Sequence, residues 1–353
     1  MTGIDDRSFA AAQDFLLASK MYWTKTLTPA LRAEIEHAAA GRPLDTANRI
    51  AAVADELPLY RAFAWLERHL QRFKYSGRYG LVPYHAQDRA ALEAALAAEL
   101  PPDLLQLDPD LPLPAYYTSV DIHQHPGGVW SDEIAGWVYE RGARTTTPTL
   151  GAAHDDLHDR FAELFDTLAP ARILDVGCGF GKSTRPIYAR CGEAQVTGID
   201  LSAPVLKLAA HDAARAQARN VRFRQANGEG TDFADESFDV VTSTMLLHEM
   251  PPPALSRLFA ETWRLLEPGG TMLHLDFHTM PDPFRRFLHY GHSRRNNEPY
   301  MRPFAEMDLE EELDRVGFID VTVEPFAEAD GALDPANTAW RFPWTVIRAR
   351  KAA

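Results

Sequence analysis

Three glycines at alternate positions follow a short apolar run near the middle of the chain. The run 173–176 (Ile-Leu-Asp-Val) leads directly into Gly177, Gly179 and Gly181. Glycine permits positive φ angles and lets the backbone approach a ligand closely. The free amides at the start of a following helix attract polar or negative groups. The pattern therefore predicts a strand, a ligand-binding turn and then a helix.

The spacing of these glycines excludes two common nucleotide-binding loops. A nicotinamide-binding loop requires glycine where this chain has Lys182. A phosphate-binding P-loop ending in Gly-Lys-Ser requires its first glycine where this chain has Val176. The loop therefore either serves another ligand or merely forms a tight turn between a strand and a helix.

Two groups of residues further along could perform acid–base chemistry. His248 follows a fourth apolar strand, and histidine suits a general base near neutral pH. It could equally cap the next helix or pack against a ligand. His274, Asp276 and His278 alternate along a fifth strand and so share one face. They could assist catalysis, bind a metal or form a structural hydrogen bond. His248 and Glu249 do not begin a zinc HExxH motif, because Pro252 stands where its second histidine would be. We expect no metal.

An arginine-rich insertion follows, from Pro281 to Pro303. It has five arginines and only two acids in an otherwise acidic chain. Because guanidinium groups bind carboxylates and phosphates at two points, we expect Arg294, Arg295 and Tyr300 to belong to a lid that recognises an anionic substrate. The alternative is a helix face whose arginines pair with acids of the N-terminal region.

The loop 116–130 combines aromatic residues, histidines and glycines. Substrate pockets are mostly apolar with a few placed polar groups. We therefore expect Tyr116, Tyr117, His123 and His125 to contact a substrate. The alternative is simple packing of a linker between domains.

The elements that must position these residues change in character along the chain. Residues 1 to about 100 favour helices, and a proline-rich stretch follows at 101–130. From His154 onward, strands and helices alternate, which predicts a parallel sheet with helices on both faces and two antiparallel strands at its edge. The run 145–148 (Thr-Thr-Thr-Pro) indicates a hinge. We expect a helical N-terminal domain at 1–145, which covers the substrate and could form a dimer, and an α/β domain at 146–353.

Composition narrows the functional classes. The chain has 36 Lys and Arg against 50 Asp and Glu, a formal net charge of −14. This disfavours nucleic acid and anionic membranes as partners. Two cysteines, no signal-peptide pattern and no apolar run of membrane-spanning length lead us to expect a cytoplasmic protein with a small-molecule substrate.

The segment 175–181 (Asp-Val-Gly-Cys-Gly-Phe-Gly) resembles the first motif of class I methyltransferases that depend on S-adenosylmethionine (SAM). Asp200 at the end of the second strand, Asn227 after the third, and the segments 233–241 and 266–270 match later motifs of that family in order. The resemblance covers residues 150–353.

The resemblance implies a Rossmann-like doubly wound α/β fold with SAM as the cofactor. In this family the acid after the second strand accepts the ribose hydroxyls, and the residue at position 227 binds the adenine amino group. The resemblance implies these cofactor contacts: Asp175, Gly177, Cys178, Gly179, Gly181, Asp200, Leu201, Asn227, Gly228 and Thr244.

The expected reaction is an in-line displacement that requires a nucleophile positioned against the methyl carbon. His248, Asp276 and His278 are the candidate catalytic residues. We expect O- or S-methylation of a small, carboxylate-bearing metabolite. N-methylation of an amine, or SAM sensing without catalysis, are the alternatives.

Overall fold

The computed structural model describes residues 3–145 and 155–353. Its centre is a sheet whose strands lie in the order β1-β4-β3-β2-β5-β6-β8-β7. The strands are β1 Leu105–Gln106, β2 Arg172–Val176, β3 Gln195–Asp200, β4 Val221–Gln225, β5 Phe238–Thr244, β6 Leu266–Phe277, β7 Phe318–Pro325 and β8 Trp344–Lys351.

Helices surround this sheet and form most of the N-terminal region. The described α-helices are α1 Asp6–Tyr22, α2 Thr28–Ala39, α3 Ala47–Ala54, α4 Pro58–Tyr75, α5 Leu81–His85, α6 Arg89–Leu96, α7 Ala115–Thr118, α8 Ala135–Ala143, α9 Asp155–Glu163, α10 Thr184–Arg190, α11 Ala203–Arg215, α12 Pro252–Leu265, α13 Pro283–Arg295, α14 Met301–Ala305 and α15 Leu309–Val316. None of the helices in these ranges is long and apolar enough to cross a membrane.

Strand direction confirms the predicted doubly wound α/β sheet. Strands β1 to β6 pair in parallel, while β8 pairs antiparallel with both β6 and β7. The chain moves outward from β2 through β3 to β4, then returns to place β5 on the other side of β2. A crevice opens at such a reversal, beyond the carboxyl ends of the strands.

One strand of the sheet was missing from the sequence-based prediction. β1 lies within the proline-rich stretch and pairs with β4 through Leu105 and Phe223. Two residues are too few to show an alternating pattern, so only the tertiary pairing defines this strand.

Both faces of the sheet are buried, as its continuous apolar strands require. Ile173 and Leu174 are adjacent in β2 yet belong to different core clusters. On the Ile173 side lie apolar residues of α9, α10 and α11. On the Leu174 side lie those of α12 and α15. Successive side chains of a strand point to opposite faces, which explains the division.

The arginine-rich insertion folds into α13, which packs against the N-terminal helices. The helix begins at Asp282, whose side chain accepts a hydrogen bond from the Arg285 amide. Near its end, Arg295 donates from Nε to a carboxylate oxygen of Glu67 in α4. His292 Nδ1 lies 2.6 Å from the other Glu67 oxygen. A buried acid therefore joins the N-terminal helices to the α/β part of the chain.

The expected hinge at 145–148 falls largely outside the described residues, which resume at Asp155. The division of the chain at residue 145 stays a prediction.

The Glu67 contacts predict that two acid-to-amide substitutions lower the free energy of unfolding by different amounts. Glu67→Gln removes the counterion of the buried Arg295 and leaves His292 with Glu298 alone, so the free energy of unfolding should fall by about 3–5 kcal/mol. Glu36→Gln removes an exposed pair with Arg32 and should cost at most about 1 kcal/mol. Urea unfolding of both variants measures the difference. Equal losses would contradict a structural role for Glu67.

Candidate active site

A cavity lies at the carboxyl ends of the parallel strands, between the sheet and the N-terminal helices. Its walls come from the turns after β2, β3, β4 and β5, from α1 and α4, and from the loop 116–130. The lining includes Lys20, Gln71, Tyr75, Tyr116, Tyr117, His123, Tyr139, Gly177, Cys178, Gly179, Asp200, Leu201, Asn227, Gly228, Thr244, His248, Glu249, Phe277, His292, Glu298, Phe342 and Trp344. The fold thus collects at one place residues that are widely separated in sequence.

The glycine loop forms one wall of the cavity. Gly177 and Gly179 have φ angles of 67° and 53°, where other residues are strained. A Cβ at Gly177 would approach Leu246 Cδ1 to 2.7 Å, whereas a Cβ at Gly179 would have no neighbour closer than a Tyr139 carbon at 4.0 Å. Gly179 therefore leaves open space beside its backbone, as a bound ligand requires.

Asp200 stands beside this loop at the end of β3. Its Oδ2 accepts a hydrogen bond from the Gly179 amide at 2.9 Å, and its Oδ1 accepts one from the Ser202 amide at 2.8 Å. These bonds fix the carboxylate at the cavity wall and leave lone pairs on both oxygens. Burial raises the pKa of Asp200 to about 6, against the lowering effect of the two amides.

Most of the residues expected to contact a cofactor line the cavity. Cys178, Leu201, Asn227, Gly228 and Thr244 do so together with Gly177, Gly179 and Asp200. The Thr244 hydroxyl is buried and has no hydrogen-bond partner among the described residues. The Asn227 side-chain oxygen accepts from the Glu229 amide at 3.0 Å, which fixes its orientation.

Two expected cofactor contacts lie behind the cavity wall. Asp175 is fully buried, and its Oδ2 accepts a 2.6 Å hydrogen bond from the Thr184 hydroxyl at the start of α10. Gly181 faces Ala209 of α11, where a Cβ would come within 3.2 Å of the alanine Cβ. Neither residue lines the cavity. Their positions indicate that Asp175 and Gly181 help to shape the loop and do not contact a ligand directly.

His248 and Asp276 form a buried pair at the wall of the cavity. His248 Nδ1 lies 2.6 Å from Asp276 Oδ1. Asp276 also accepts hydrogen bonds from the amides of Leu247 and Phe277, both at 2.7 Å. His248 lines the cavity, whereas Asp276 stands behind it. With Nδ1 engaged, Nε2 is the ring nitrogen left to meet a ligand.

His278 does not join this pair, contrary to its expected catalytic role. Its Nε2 donates to the Met307 carbonyl at 3.0 Å, and its ring packs edge-on against Phe304. His274, from the same face of β6, is fully buried and bonds Ser243 at 2.7 Å. Alternation correctly groups these residues, but only Asp276 reaches a residue of the cavity. Among the described residues, no three or more His, Cys, Asp or Glu side chains are arranged so that they could hold a metal ion.

The loop 116–130 contributes only part of the expected substrate contacts. Tyr116, Tyr117 and His123 line the cavity. His125 instead stacks on Tyr75, with ring centres 4.8 Å apart, and is not part of the lining. Tyr300 also lies outside the lining and contacts the edge of Tyr116. His125 and Tyr300 therefore pack behind residues that face the cavity, and a substrate contact by either one stays a prediction.

A chain of ionic contacts runs along the helical side of the cavity. His123 bridges Glu249 at 3.0 Å and Glu298 at 3.2 Å. His292 lies between Glu298, at 3.5 Å, and Glu67, at 2.6 Å. We call this set, with Arg295 at its end, the charged chain. His123 has a φ of 57°, an uncommon conformation for a non-glycine residue and one that clusters at functional sites.

Both histidines of the charged chain are held in their charged form. Burial alone would lower the pKa of His123, but Glu298 and Glu249 raise it to about 10. Burial likewise opposes charge on His292, but Glu298 and Glu67 raise its pKa to about 9. Burial would raise the pKa of Glu298, but the charges and hydrogen bonds of these histidines hold it well below the ordinary value.

The two arginines expected to bind an anion lie elsewhere. Arg294 is exposed, and Arg295 is committed to Glu67, so neither lines the cavity. The alternative considered from the sequence, pairing with an acid of the N-terminal region, describes Arg295 correctly. A count of arginines in a segment does not reveal which way each one points.

Several cavity residues carry no signal that sequence reasoning detected. Lys20, Gln71 and Tyr75 come from α1 and α4, more than 100 residues before the glycine loop. Phe342 and Trp344 come from the entry to β8, where the aromatic run 340–344 offered the only available hint. Phe277 stacks on Phe342, with ring centres 4.4 Å apart, and this forms an apolar floor near His248.

These features fit the SAM that the sequence led us to expect. Open space lies beside Gly179, and a fixed carboxylate stands at Asp200. The buried hydroxyls of Thr244 and Tyr117 also lack partners among the described residues and border the same cavity. A ligand with ribose hydroxyls and an amino-acid group could satisfy all of these atoms.

Comparison with known proteins agrees with this geometry. Residues 173–270 match a family model described as a methyltransferase domain. The 27-O-demethylrifamycin SV methyltransferase of Amycolatopsis mediterranei is 32% identical over 157 residues, which is 44% of this chain and 52% of the relative. Phosphoethanolamine N-methyltransferase 1 of Triticum aestivum is 31% identical over 166 residues, 46% of this chain and 31% of the relative.

A solved structure of Haemonchus contortus phosphoethanolamine N-methyltransferase 2 with SAM is 19% identical, with a TM-score of 0.46, over 68% of this chain and 61% of that chain. The chain spans about half the length of the rifamycin relative and about a third of that of the wheat relative. The matched region contains the glycine loop, Asp200, Asn227 and His248. Through residues 173–270 the chain therefore carries a methyltransferase domain, similar in sequence to those of methyltransferases that use SAM.

Proposed function

We propose that this protein transfers the methyl group of SAM to a hydroxyl or thiol of a small molecule held in the cavity. The observation that carries the proposal is the His248–Asp276 pair, which places a polarised imidazole in the wall of the cavity that the glycine loop also borders. A base is needed when the attacking atom must lose a proton. An oxygen or sulfur acceptor fits that requirement.

The residues of the glycine loop and the strand ends would hold the cofactor. Asp200 would accept the ribose hydroxyls, and Asn227 and Gly228 would border the adenine. Tyr117 and Thr244 would offer their hydroxyls to the remaining polar atoms. When bound, SAM supplies an electrophilic methyl group and needs no further activation by the protein.

His248 would act as the general base and Asp276 as its positioning residue. Asp276 fixes the ring through Nδ1, so Nε2 can accept the proton of the acceptor hydroxyl or thiol. The amides of Leu247 and Phe277 hold the Asp276 carboxylate in turn. Phe277, Phe342 and the helical wall would exclude water from the attacking atom.

The names of the similar proteins do not indicate whether oxygen, sulfur or nitrogen accepts the methyl group. One is named as an O-methyltransferase of a rifamycin precursor and another as an N-methyltransferase of phosphoethanolamine. N-methylation of an amine is therefore the nearest alternative. A SAM sensor without catalysis needs neither an enclosed acceptor space nor an oriented base, and the presence of both favours an enzyme.

Cofactor binding depends on Asp200 in this account. Asp200→Asn should weaken SAM affinity by about tenfold to a hundredfold, because it removes the charge that strengthens hydrogen bonds to the ribose. Glu193→Gln, an exposed change just before the same strand, should leave affinity unchanged. Isothermal titration calorimetry with SAM measures both. Absence of SAM binding to the wild-type protein would refute the proposed function.

Base catalysis should appear in the pH dependence of turnover. Burial alone would lower the pKa of His248, but the charge of Asp276 and its hydrogen bond raise it above the ordinary 6.5. Only neutral imidazole can accept a proton, so kcat/KM for a hydroxyl or thiol acceptor should fall as pH drops through this raised pKa. His248→Gln should lower kcat by about 10²–10⁴-fold.

Asp276→Asn provides the matched control for this pH profile. Without the carboxylate charge the pKa of His248 should decrease, so the acidic limb should move to lower pH while the maximal rate also falls. A flat profile from pH 5 to 9, or full activity of His248→Gln, would show that the acceptor needs no base and would favour a different accepting group.

A further inference from the structure

Lys20 brings a half-buried ammonium group to the cavity from the first helix. Its Nζ donates to the Thr145 carbonyl at 2.9 Å and to the Gln71 side-chain oxygen at 3.3 Å. Both acceptors are uncharged. An ammonium has three donors, so one N–H remains for a ligand. Within residues 3–145 and 155–353, no acid lies within ion-pairing distance of Lys20.

The nearby charged chain does not supply a counterion. It contains the carboxylates of Glu67, Glu249 and Glu298, and the cations His123, His292 and Arg295. Three negative charges therefore meet three positive ones, and both histidines stay protonated at neutral pH. Glu67 acts on Lys20 from a distance but is already paired with Arg295 and His292. The charged chain therefore has no carboxylate left to neutralise the charge of Lys20.

A second lysine lies close by in α4. Lys74 is 1% exposed, and burial together with the charge of Lys20 lowers its pKa well below the ordinary value. Burial also lowers the pKa of Lys20 to about 8, although Glu67 opposes this, so Lys20 remains mostly charged at neutral pH. An anion beside Lys20 would offset the cost of holding its charge in this partly buried position close to Lys74.

Lys20 is connected to the proposed base through a short series of contacts. Gln71, which accepts from Lys20, donates to the His123 carbonyl at 2.9 Å. The His123 ring contacts Glu249, the residue after His248. By contrast, no described hydrogen bond joins Lys20 to the glycine loop or to Asp200. The ammonium therefore belongs with the acceptor side of the cavity.

We propose that Lys20 binds an anionic oxygen group of the methyl acceptor, a carboxylate or a phosphate, while the hydroxyl or thiol of the same molecule faces His248. The inference rests on the proposed function only in treating this end of the cavity as the acceptor site. It assigns to a lysine of α1 the anion recognition that the sequence suggested for Arg294 and Arg295.

The test is calorimetric and does not require a known acceptor. Binding of S-adenosylhomocysteine is titrated first, and the saturated protein is then titrated with benzoate, with its uncharged analogue benzamide and with inorganic phosphate. Lys20→Met removes the ammonium, and Lys20→Gln removes it but retains a hydrogen-bond donor. Lys25→Met, an exposed change in the turn after α1, is the matched control.

The wild-type protein should bind benzoate or phosphate more tightly than benzamide. Both Lys20 variants should lose about tenfold or more of the anion affinity, the effect of one charge-assisted hydrogen bond. Their affinity for benzamide and S-adenosylhomocysteine should stay within twofold of wild type, roughly the scatter expected for a site that is not touched. Comparing benzoate with benzamide in the same variant removes any effect of a general loss of folding.

Three results would overturn the inference. The first is equal anion affinity in wild type and both Lys20 variants, and the second is no anion binding to the wild-type protein. The third is a loss of S-adenosylhomocysteine affinity with anion binding unchanged, which would assign Lys20 to the cofactor carboxylate. Failure of S-adenosylhomocysteine to bind, with Lys20-dependent anion binding intact, would instead refute the proposed methyl transfer alone.

Discussion

The buried carboxylate of Glu67 is the contact on which the enclosed site depends. It lies in α4 and binds both Arg295 and His292 of α13, so it fixes the N-terminal helices over the open end of the sheet. Charges are buried only when they are paired and hydrogen-bonded. The charged chain extends this pairing through Glu298 and His123 to Glu249. A single series of ion pairs therefore joins the helical region to the loop that presents His248.

This closure gives the cavity two different environments. One side carries the backbone loop and Asp200, where fixed amides orient a carboxylate. The other side carries His248 above aromatic rings, together with an excess positive charge at Lys20. A cofactor with a sugar-like polar part on the first side and a separate acceptor molecule on the second would fill both environments. This division supports the proposal that the cavity holds two substrates.

The cofactor half of the site could be predicted from the sequence because its signals are local. Gly177, Gly179 and Asp200 each stand at the end of a strand whose apolar pattern is visible, and parallel strands bring their carboxyl ends together. His248 and Asp276 follow from the same rule, since β5 and β6 are neighbours. Asp175 and Gly181 share the motif but face away, because one bonds Thr184 and the other packs on Ala209.

The acceptor half could not be predicted in the same way, since its residues are brought together only by tertiary packing. Arg295 looked like an anion-binding residue until its buried partner in α4 was visible. Lys20 carries no signal in the sequence that separates it from other lysines. His125 and His123 are two residues apart, yet one packs on Tyr75 and the other faces the cavity. Which way such side chains point depends on partners fifty or more residues away in the sequence.

The most direct test of methyl transfer uses SAM whose methyl group carries deuterium. The protein is incubated with it and with pools of hydroxy acids, phenols, thiols and amines, and products are detected by mass spectrometry beside a His248→Gln control. The account predicts label on the oxygen or sulfur of one acceptor, with much less label in the control. Label on nitrogen alone, equal label in both proteins, or no labelled product from any pool in a protein that binds SAM would contradict it.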